Sequence, residues 1–458
     1  MAPTADVATL DAIFKAYDVR GLVPEQLDAD LAQRIGAAFV AVTGAPRVVV
    51  GHDMRPTSPQ LAAAFATGAS GAGSDVVSIG LAATDQLYFA SGHLDIPGAM
   101  VTASHNPAGY NGIKLCRAGA RPIAHDTGLA DIRDLVAAGS VPVAAAQGTV
   151  TERDVLAGYA SRLVGLAPVR GRRLRVVVDA GNGMAGLTVP AVAALLGPEQ
   201  LDIDPLYFEL DGTFPHHEAN PIDPDTLVDL QARVVATGAD AGLAFDGDAD
   251  RCFLVDEQGG LVPPSSLTAL IAQRELARDP GATVIHNLIT SRAVPEMVAE
   301  LGGTAVRTRV GHSYIKATMA ETGAVFGGEH SGHFYFRDFW RADSGLLAAL
   351  HVLAALAESD RPLSALLARY QRYVQSGEIN TVVVDQAGVL DDLRATYDGR
   401  DGVTVDELDG LTVSHRDWWF NVRPSNTEPL LRLNAEGADA ATLAAVRDDV
   451  LTRIRSHR

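Results

Sequence analysis

Residues 242–251 read Gly242-Leu243-Ala244-Phe245-Asp246-Gly247-Asp248-Ala249-Asp250-Arg251, an apolar, strand-like run that ends in a polar loop with three carboxylates. The same succession occurs twice more. Ala99-Met100-Val101 leads into Thr102-Ala103-Ser104-His105-Asn106-Pro107, and Ala324-Val325-Phe326 into Gly327-Gly328-Glu329-His330-Ser331-Gly332-His333. Each run closes a longer pattern. It opens on a β-branched strand (Val48-Val49-Val50, Val176-Val177-Val178 or Val284-Ile285) and continues through an alanine-rich helical stretch. A second strand-like segment follows, at 76–79, 206–208 or 305–308. Strands alternating with helices predict βαβ units and mostly parallel sheets, whose ligands sit beyond the carboxyl ends of the strands. Three copies predict three similar α/β domains with their loops facing a shared central cleft.

The tail breaks the pattern. Segments 381–384, 418–422 and 430–433 read as strands, with Arg423-Pro424-Ser425-Asn426-Thr427-Glu428-Pro429 between the last two, and 441–454 fits an amphipathic helix. The expected organisation is four domains, 1–150, 151–256, 257–374 and 375–458. Three are mixed α/β and the last is α+β, each supplying one functional loop.

Composition sets the outer limits. A chain of 458 residues, 47% hydrophobic, can bury several cores. Two cysteines cannot staple it and fit a reducing cytoplasm. The start lacks a basic segment followed by an apolar run, and no stretch is long enough to span a bilayer, so neither a signal peptide nor a membrane segment is expected. A net charge of −19 disfavours nucleic acid and anionic lipid as partners. Of 37 cationic side chains only three are lysines, Lys15, Lys114 and Lys316. In so arginine-rich a chain, a retained lysine points to a need for a compact, deprotonatable ammonium.

The loops carry distinct chemistry. Ser104, at a strand end with Lys114 downstream, suits a phosphate acceptor or an acyl nucleophile, although Asn-Pro and Asn-Gly also form ordinary turns. No G-x-S-x-G elbow supports acyl transfer. Asp246, Asp248 and Asp250 alternate, which would place three oxygen ligands along one side of an extended segment, a set for a hard ion such as Mg²⁺. Glu329, Ser331 and His333 on a glycine-rich backbone suit the reading of sugar hydroxyls, and His333 could move protons near neutrality. Arg423, Ser425, Asn426 and Thr427 offer a phosphate cradle. An acceptor serine, a metal cage, a hydroxyl reader and a phosphate clip together describe phosphoryl transfer on a sugar phosphate, where positioning and charge neutralisation do most of the catalysis. Arg251, Lys114 and Arg20 are the cations expected to offset the clustered negative charge.

With these four motifs in this order, the chain resembles the α-D-phosphohexomutase superfamily over essentially its whole length. The 211–221 and 328–345 stretches look most like its bacterial phosphomannomutase branch. The resemblance implies a phosphoserine at Ser104 and Mg²⁺ held by Asp246, Asp248, Asp250 and a Ser104 phosphoryl oxygen. It implies sugar recognition by Glu329 and Ser331, with His105, Tyr17 and the Gly311-His312 pair also on the substrate side. Arg423, Ser425, Asn426 and Thr427 would hold the substrate's non-reacting phosphate. Lys114, Arg20 and His333 match positions tied to proton transfer and phosphate stabilisation, and Ser291 and Arg292 are further candidates for a phosphate contact. The implied reaction interconverts mannose 6-phosphate and mannose 1-phosphate through a hexose 1,6-bisphosphate. Dual mannose/glucose activity, phosphoglucosamine mutase activity and a serine- or metal-dependent phosphatase are the alternatives. The enzyme is expected to be a monomer or small homo-oligomer.

Overall fold

The computed structural model describes residues 7–141, 143–425 and 430–457, without the side chain of His312. The chain divides into two compact units, residues 1–264 with 331–366 and residues 265–330 with 367–458.

The first unit holds two sheets. In one, Gly98–Val101, Arg47–His52, Asp75–Leu81 and Val150–Glu152 run parallel, and Tyr110–Arg117 and Val19–Leu22 extend the opposite edge antiparallel. Val48, Val49 and Val50 are all buried, the mark of a strand covered on both faces. The second sheet orders Leu261–Val262, Cys252–Asp256, Ala241–Phe245, Leu174–Asp179 and Leu201–Leu206, its last three strands parallel. Val150–Glu152 and Leu261–Val262 each carry their sheet past the expected domain ends at 150 and 256.

Two expectations need adjustment here. The strand foreseen at 206–208 lies at Leu201–Leu206 and stops where Tyr207 turns to φ 55°. Pro205 disguised it, but this is an edge strand, where a missing N–H is tolerated. The Asn-Gly pair at 111–112, which has the composition of a turn, lies inside strand Tyr110–Arg117. Gly112 is there for space: a Cβ would lie 2.3 Å from the Val19 carbonyl oxygen of the neighbouring strand. The short hairpin of Phe334–Phe336 and Ala342–Asp343 and the buried helix Gly345–Ala357 complete this unit.

The second unit contains parallel strands Thr304–Thr308, Thr283–Asn287 and Phe326–Gly328, with helices Ala293–Glu300 and His312–Thr322. The third segment of the chain thus contributes to both units. The C-terminal sheet, ordered Val374–Val382, Leu430–Gly437, Trp418–Pro424, Leu411–Ser414 and Thr404–Asp406, is antiparallel throughout. Val389 and Leu393 of helix Gln386–Tyr397, and Leu443, Val446 and Val450 of helix Ala440–Ser456, pack on Phe420, Val422, Leu431 and Leu433. Among the described residues no helix is long and apolar enough to cross a membrane.

Candidate active site

Strand Gly98–Val101 delivers Ser104 to its carboxyl end, where the serine adopts φ 51°, a left-handed backbone uncommon for a residue with a Cβ. A fully buried arginine holds that loop. Arg55 donates to the carbonyl oxygens of Ser104 (2.9 Å), Asn106 (2.6 Å), Pro107 (2.9 Å) and Tyr110 (3.0 Å), and Asp53 balances its charge at 3.3 Å. Sequence reasoning passed over Arg55. It follows strand Arg47–His52 at the same carboxyl ends, the one signal that could have flagged it.

The Ser104 hydroxyl donates to Asp246 Oδ2 at 2.7 Å. The approach is close because residue 247 is glycine: a Cβ there would stand 2.5 Å from the Ser104 carbonyl oxygen. The acidic loop is not the extended segment its alternation predicted. It turns, with Ala249 at φ 61° and its N–H bonded to the Asp246 carbonyl, so the carboxylates converge through the turn. Oxygens of Asp246, Asp248 and Asp250 lie within 4.8 Å of one another, all buried. Burial, with Asp250 and Asp248 alongside, pushes the Asp246 carboxyl well above the usual range. Burial acts the same way on Asp250, but Lys114, His333 and Arg251 outweigh it and hold that group well below. Asp248 Oδ1 is buried without a hydrogen-bond partner. An all-oxygen set with a spare buried carboxylate oxygen fits a hard divalent cation.

Three cations and a histidine surround this cage. Lys114 Nζ lies 2.7 Å from Asp248 Oδ2 and 2.6 Å from Asp250 Oδ2. Burial works against its charge, but the two carboxylates more than reverse that and raise its pKa, so Lys114 sits here as a fixed ammonium. Arg20, on strand Val19–Leu22, donates to Asn106 Oδ1 in the serine loop and pairs with Asp18. Tyr17 is half-buried in the bend before that strand. Arg251 Nε lies 3.5 Å from Asp246 Oδ2 and 3.3 Å from His333 Nε2. His333 Nε2 is also 3.4 Å from Asp250 Oδ1, and its Nδ1 is 3.1 Å from the Ser331 hydroxyl. His105 Nδ1 is 3.3 Å from Ser104 Oγ, and Arg251, burial and Arg20 push its pKa well below the usual imidazole value.

Two further residues escaped the sequence. Thr84, at the start of helix Thr84–Leu94, binds Asp248 twice, N–H to carbonyl at 3.0 Å and hydroxyl to Oδ2 at 2.6 Å. The adjacent Asp85 is fully buried and accepts from Ser344 (2.6 Å) and Tyr159 (2.7 Å). Burial pushes its carboxyl up to about 7.

In the second unit, buried Glu329 accepts from the Gly311 N–H at 3.0 Å and from Asn287 Nδ2 at 3.4 Å, which joins two of the predicted sugar-side elements. His312 follows as the first residue of its helix. Arg423 donates to Glu378 Oε2 at 3.0 Å, and Arg432 donates to Glu378 Oε1 at 3.0 Å and to the Ser425 hydroxyl at 3.4 Å. Asn426 and Thr427 lie outside the described residues. Arg292 is not free for phosphate: its guanidinium donates to the carbonyls of His415, Arg416 and Trp418. The Ser291 N–H bonds to Ser265, and the Ser291 hydroxyl accepts from the Ala293 N–H.

A buried serine hydroxyl on a cation-binding acidic turn, ringed by Lys114, Arg20 and Arg251, defines an α/β enzyme equipped for phosphoryl transfer. Comparison with known proteins places it more narrowly. The family described as phosphoglucomutase/phosphomannomutase matches the chain through its alpha/beta/alpha domains I (residues 11–141), II (157–260) and III (263–373) and its C-terminal domain (378–453). A phosphomannomutase from Salmonella typhimurium is 40% identical, over 96% of this chain and 97% of that protein. A phosphomannomutase/phosphoglucomutase from Pseudomonas putida is 37% identical, over 99% and 98%. A crystal structure of a phosphoglucomutase/phosphomannomutase family protein from Burkholderia thailandensis superposes with a TM-score of 0.88 at 35% identity, covering 97% of both chains. The chain belongs to the phosphoglucomutase/phosphomannomutase family. It is a phosphohexomutase, an isomerase, with four domains and a divalent-metal site.

Proposed function

We propose that the enzyme is a Mg²⁺-dependent phosphomannomutase that interconverts mannose 6-phosphate and mannose 1-phosphate. The observation that carries the reading is the contact of Ser104 Oγ with Asp246 inside the three-carboxylate turn. Ser104 is the residue to carry the resting phosphoryl group. Asp246, Asp248 and Asp250 would hold the Mg²⁺, which when bound supplies charge neutralisation at the transferring phosphoryl oxygens. In the first half-reaction the sugar's free hydroxyl attacks the phosphoserine. The P–O bond to Ser104 breaks, a P–O bond to the sugar forms, the sugar hydroxyl proton passes to a base, for which His333 is the candidate, and the released Ser104 oxygen takes up a proton to become the hydroxyl again. The product is the hexose 1,6-bisphosphate. After it turns over, its other phosphate returns to the Ser104 oxygen and the isomeric monophosphate leaves. Lys114, Arg20 and Arg251 offset the negative charge, and Arg55 holds the serine loop in place.

Recognition falls to Glu329, Ser331, His105, Tyr17 and the Gly311-His312 pair for the sugar, and to Arg423, Ser425, Asn426 and Thr427 for the phosphate that is not reacting. The mannose preference is supported by the name of the Salmonella relative. The Pseudomonas relative's name favours a second reading, in which glucose phosphates are also turned over. Two buried cysteines outside any disulfide, Cys116 and Cys252, fit work in a reducing cytoplasm. The test compares kcat/KM on the 1-phosphates of mannose, glucose and N-acetylglucosamine while following inorganic phosphate. Mannose should lead, with ester phosphate conserved. Preference for the amino sugar, or net phosphate release, contradicts the proposal.

A further inference from the structure

A single oxygen of the fully buried Asp85 joins three of the family's domains. Its Oδ2 accepts from Tyr159, on helix Leu156–Leu166, at 2.7 Å and from Ser344 at 2.6 Å. Oδ1 is buried without a hydrogen-bond partner. An unsatisfied buried carboxyl oxygen is costly, which turns attention to what the other oxygen holds. On one side of the Asp85–Ser344 bond, Thr84 grips Asp248 through its N–H at 3.0 Å and its hydroxyl at 2.6 Å. On the other side, Gly345 lies against the backbone of the same acidic turn. A Cβ there would stand 2.5 Å from the Arg251 carbonyl oxygen and 3.0 Å from that of Ala249. Arg251 donates its N–H to Asp246 Oδ1 at 3.2 Å and pairs through its backbone with His333. The Ser344 N–H bonds to the carbonyl of Phe334, the residue after His333, at 3.1 Å. These contacts form a ring around the metal turn, from Asp248 through Thr84, Asp85, Ser344 and Gly345 to Arg251 and Asp246, with His333 against its Arg251 side.

We propose that Asp85 is a positioning residue for phosphoryl transfer: its bond to Ser344 clasps the metal turn between Thr84 and Gly345 and fixes His333 against the carboxylate cage. The inference deepens the proposed function and rests on its reading of His333 as the base and Asp248 as a metal ligand. The hydrogen-bond inventory of Ser344 supports it. A serine hydroxyl carries one proton. The Ser344 oxygen already accepts from the Leu347 N–H at 3.1 Å, as the cap of helix Gly345–Ala357, and its proton goes to Asp85. Cap and clasp are therefore one group, and the start of that helix is set by the same bond that closes the ring. Residues that hold a metal ligand or a base in place lower activity when removed, although they touch no substrate.

The experiment measures kcat and KM for mannose 1-phosphate, and Mg²⁺ affinity of the free protein by calorimetry, in wild type, D85A, D85N, S344A, Y159F and H333N. All are compared at a temperature where melts show each protein folded. D85A is expected to lower kcat about ten- to a hundredfold with KM within about twofold, and to weaken Mg²⁺ binding about three- to tenfold. S344A should behave in the same way and stands in for D85A if that variant fails to fold. D85N still offers one oxygen to both hydroxyls and should keep kcat within about threefold of wild type. Y159F removes the arm that reaches neither the metal turn nor His333. It should lower the melting temperature with kcat within about twofold, which separates positioning from stability. Wild-type kcat and Mg²⁺ affinity in D85A and S344A, beside a depressed kcat in H333N, overturn the clasp alone. D85N or Y159F as slow as D85A overturns it as well. Wild-type kcat in H333N takes down the underlying assignment of the base.

Discussion

Lys114 Nζ stands 2.6 Å from Asp250 Oδ2, within the same set of carboxylates that would receive the metal. The lysine therefore serves the cage before any dication does, by keeping carboxylates ionised in a buried turn. Replacing it with methionine leaves Asp248 and Asp250 without their nearest cation. Lys114→Met should cost about 3–5 kcal/mol of stability in chelator, much of it recovered in millimolar Mg²⁺, because a ligand that binds only the native state stabilises it. Thermal melts with and without metal check this. A metal-induced rise no larger than in wild type would show that Lys114 is not offsetting that charge.

Arg55 is the keystone of the serine loop, since one guanidinium satisfies four carbonyl oxygens between residues 104 and 110. Arg55→Met removes all four bonds and strands the buried carboxylate of Asp53. The expected loss is again about 3–5 kcal/mol, with kcat down by about a hundredfold as Ser104 leaves its strained position. Melting and steady-state kinetics measure the two effects. Wild-type kcat in a destabilised variant would mean that the loop holds its shape without the arginine.

Asp85 should leave a mark on the pH dependence of stability. Its carboxyl is raised by burial from an ordinary 3.8 to about 7, so between those values the native state holds a proton that the unfolded chain has released. Native proton excess makes stability fall as pH rises. The decline begins near pH 4 and levels off above pH 7, with a total of about 4 kcal/mol. Asp85→Asn, still able to accept from Ser344 and Tyr159, should flatten that slope and be the more stable protein at pH 8. Denaturant melts at pH 5 and pH 8 decide it, and equal slopes in the two proteins would contradict the account.

Much of the site was readable because its chemistry lies in short runs at strand ends. Ser104, the three aspartates and Glu329 each follow an apolar strand, and the alternation of strands and helices puts such ends where ligands bind. Arg55 also follows an apolar strand, but its role was hidden, because its partners are about fifty residues away and no periodicity links them. Glu378 and Arg432 were equally silent, since their meeting depends on strand register and a bulge. Strand Tyr110–Arg117 was hidden by an Asn-Gly pair that answers to a neighbouring strand's carbonyl rather than to a turn. For Lys114, arginine bias drew attention to the residue but did not show its two carboxylate partners, Asp248 and Asp250. Those two carboxylates raise its pKa against the effect of burial.

The most direct measurement is intact-mass analysis of the protein, with site localisation, after incubation with a hexose 1,6-bisphosphate and again after exposure to excess mannose 6-phosphate. One phosphoryl group on Ser104, passed on to the sugar in the second step and absent from an inactive Ser104→Ala variant, is the predicted result. A Ser104→Ala protein that still isomerises mannose phosphates at the wild-type rate would contradict it.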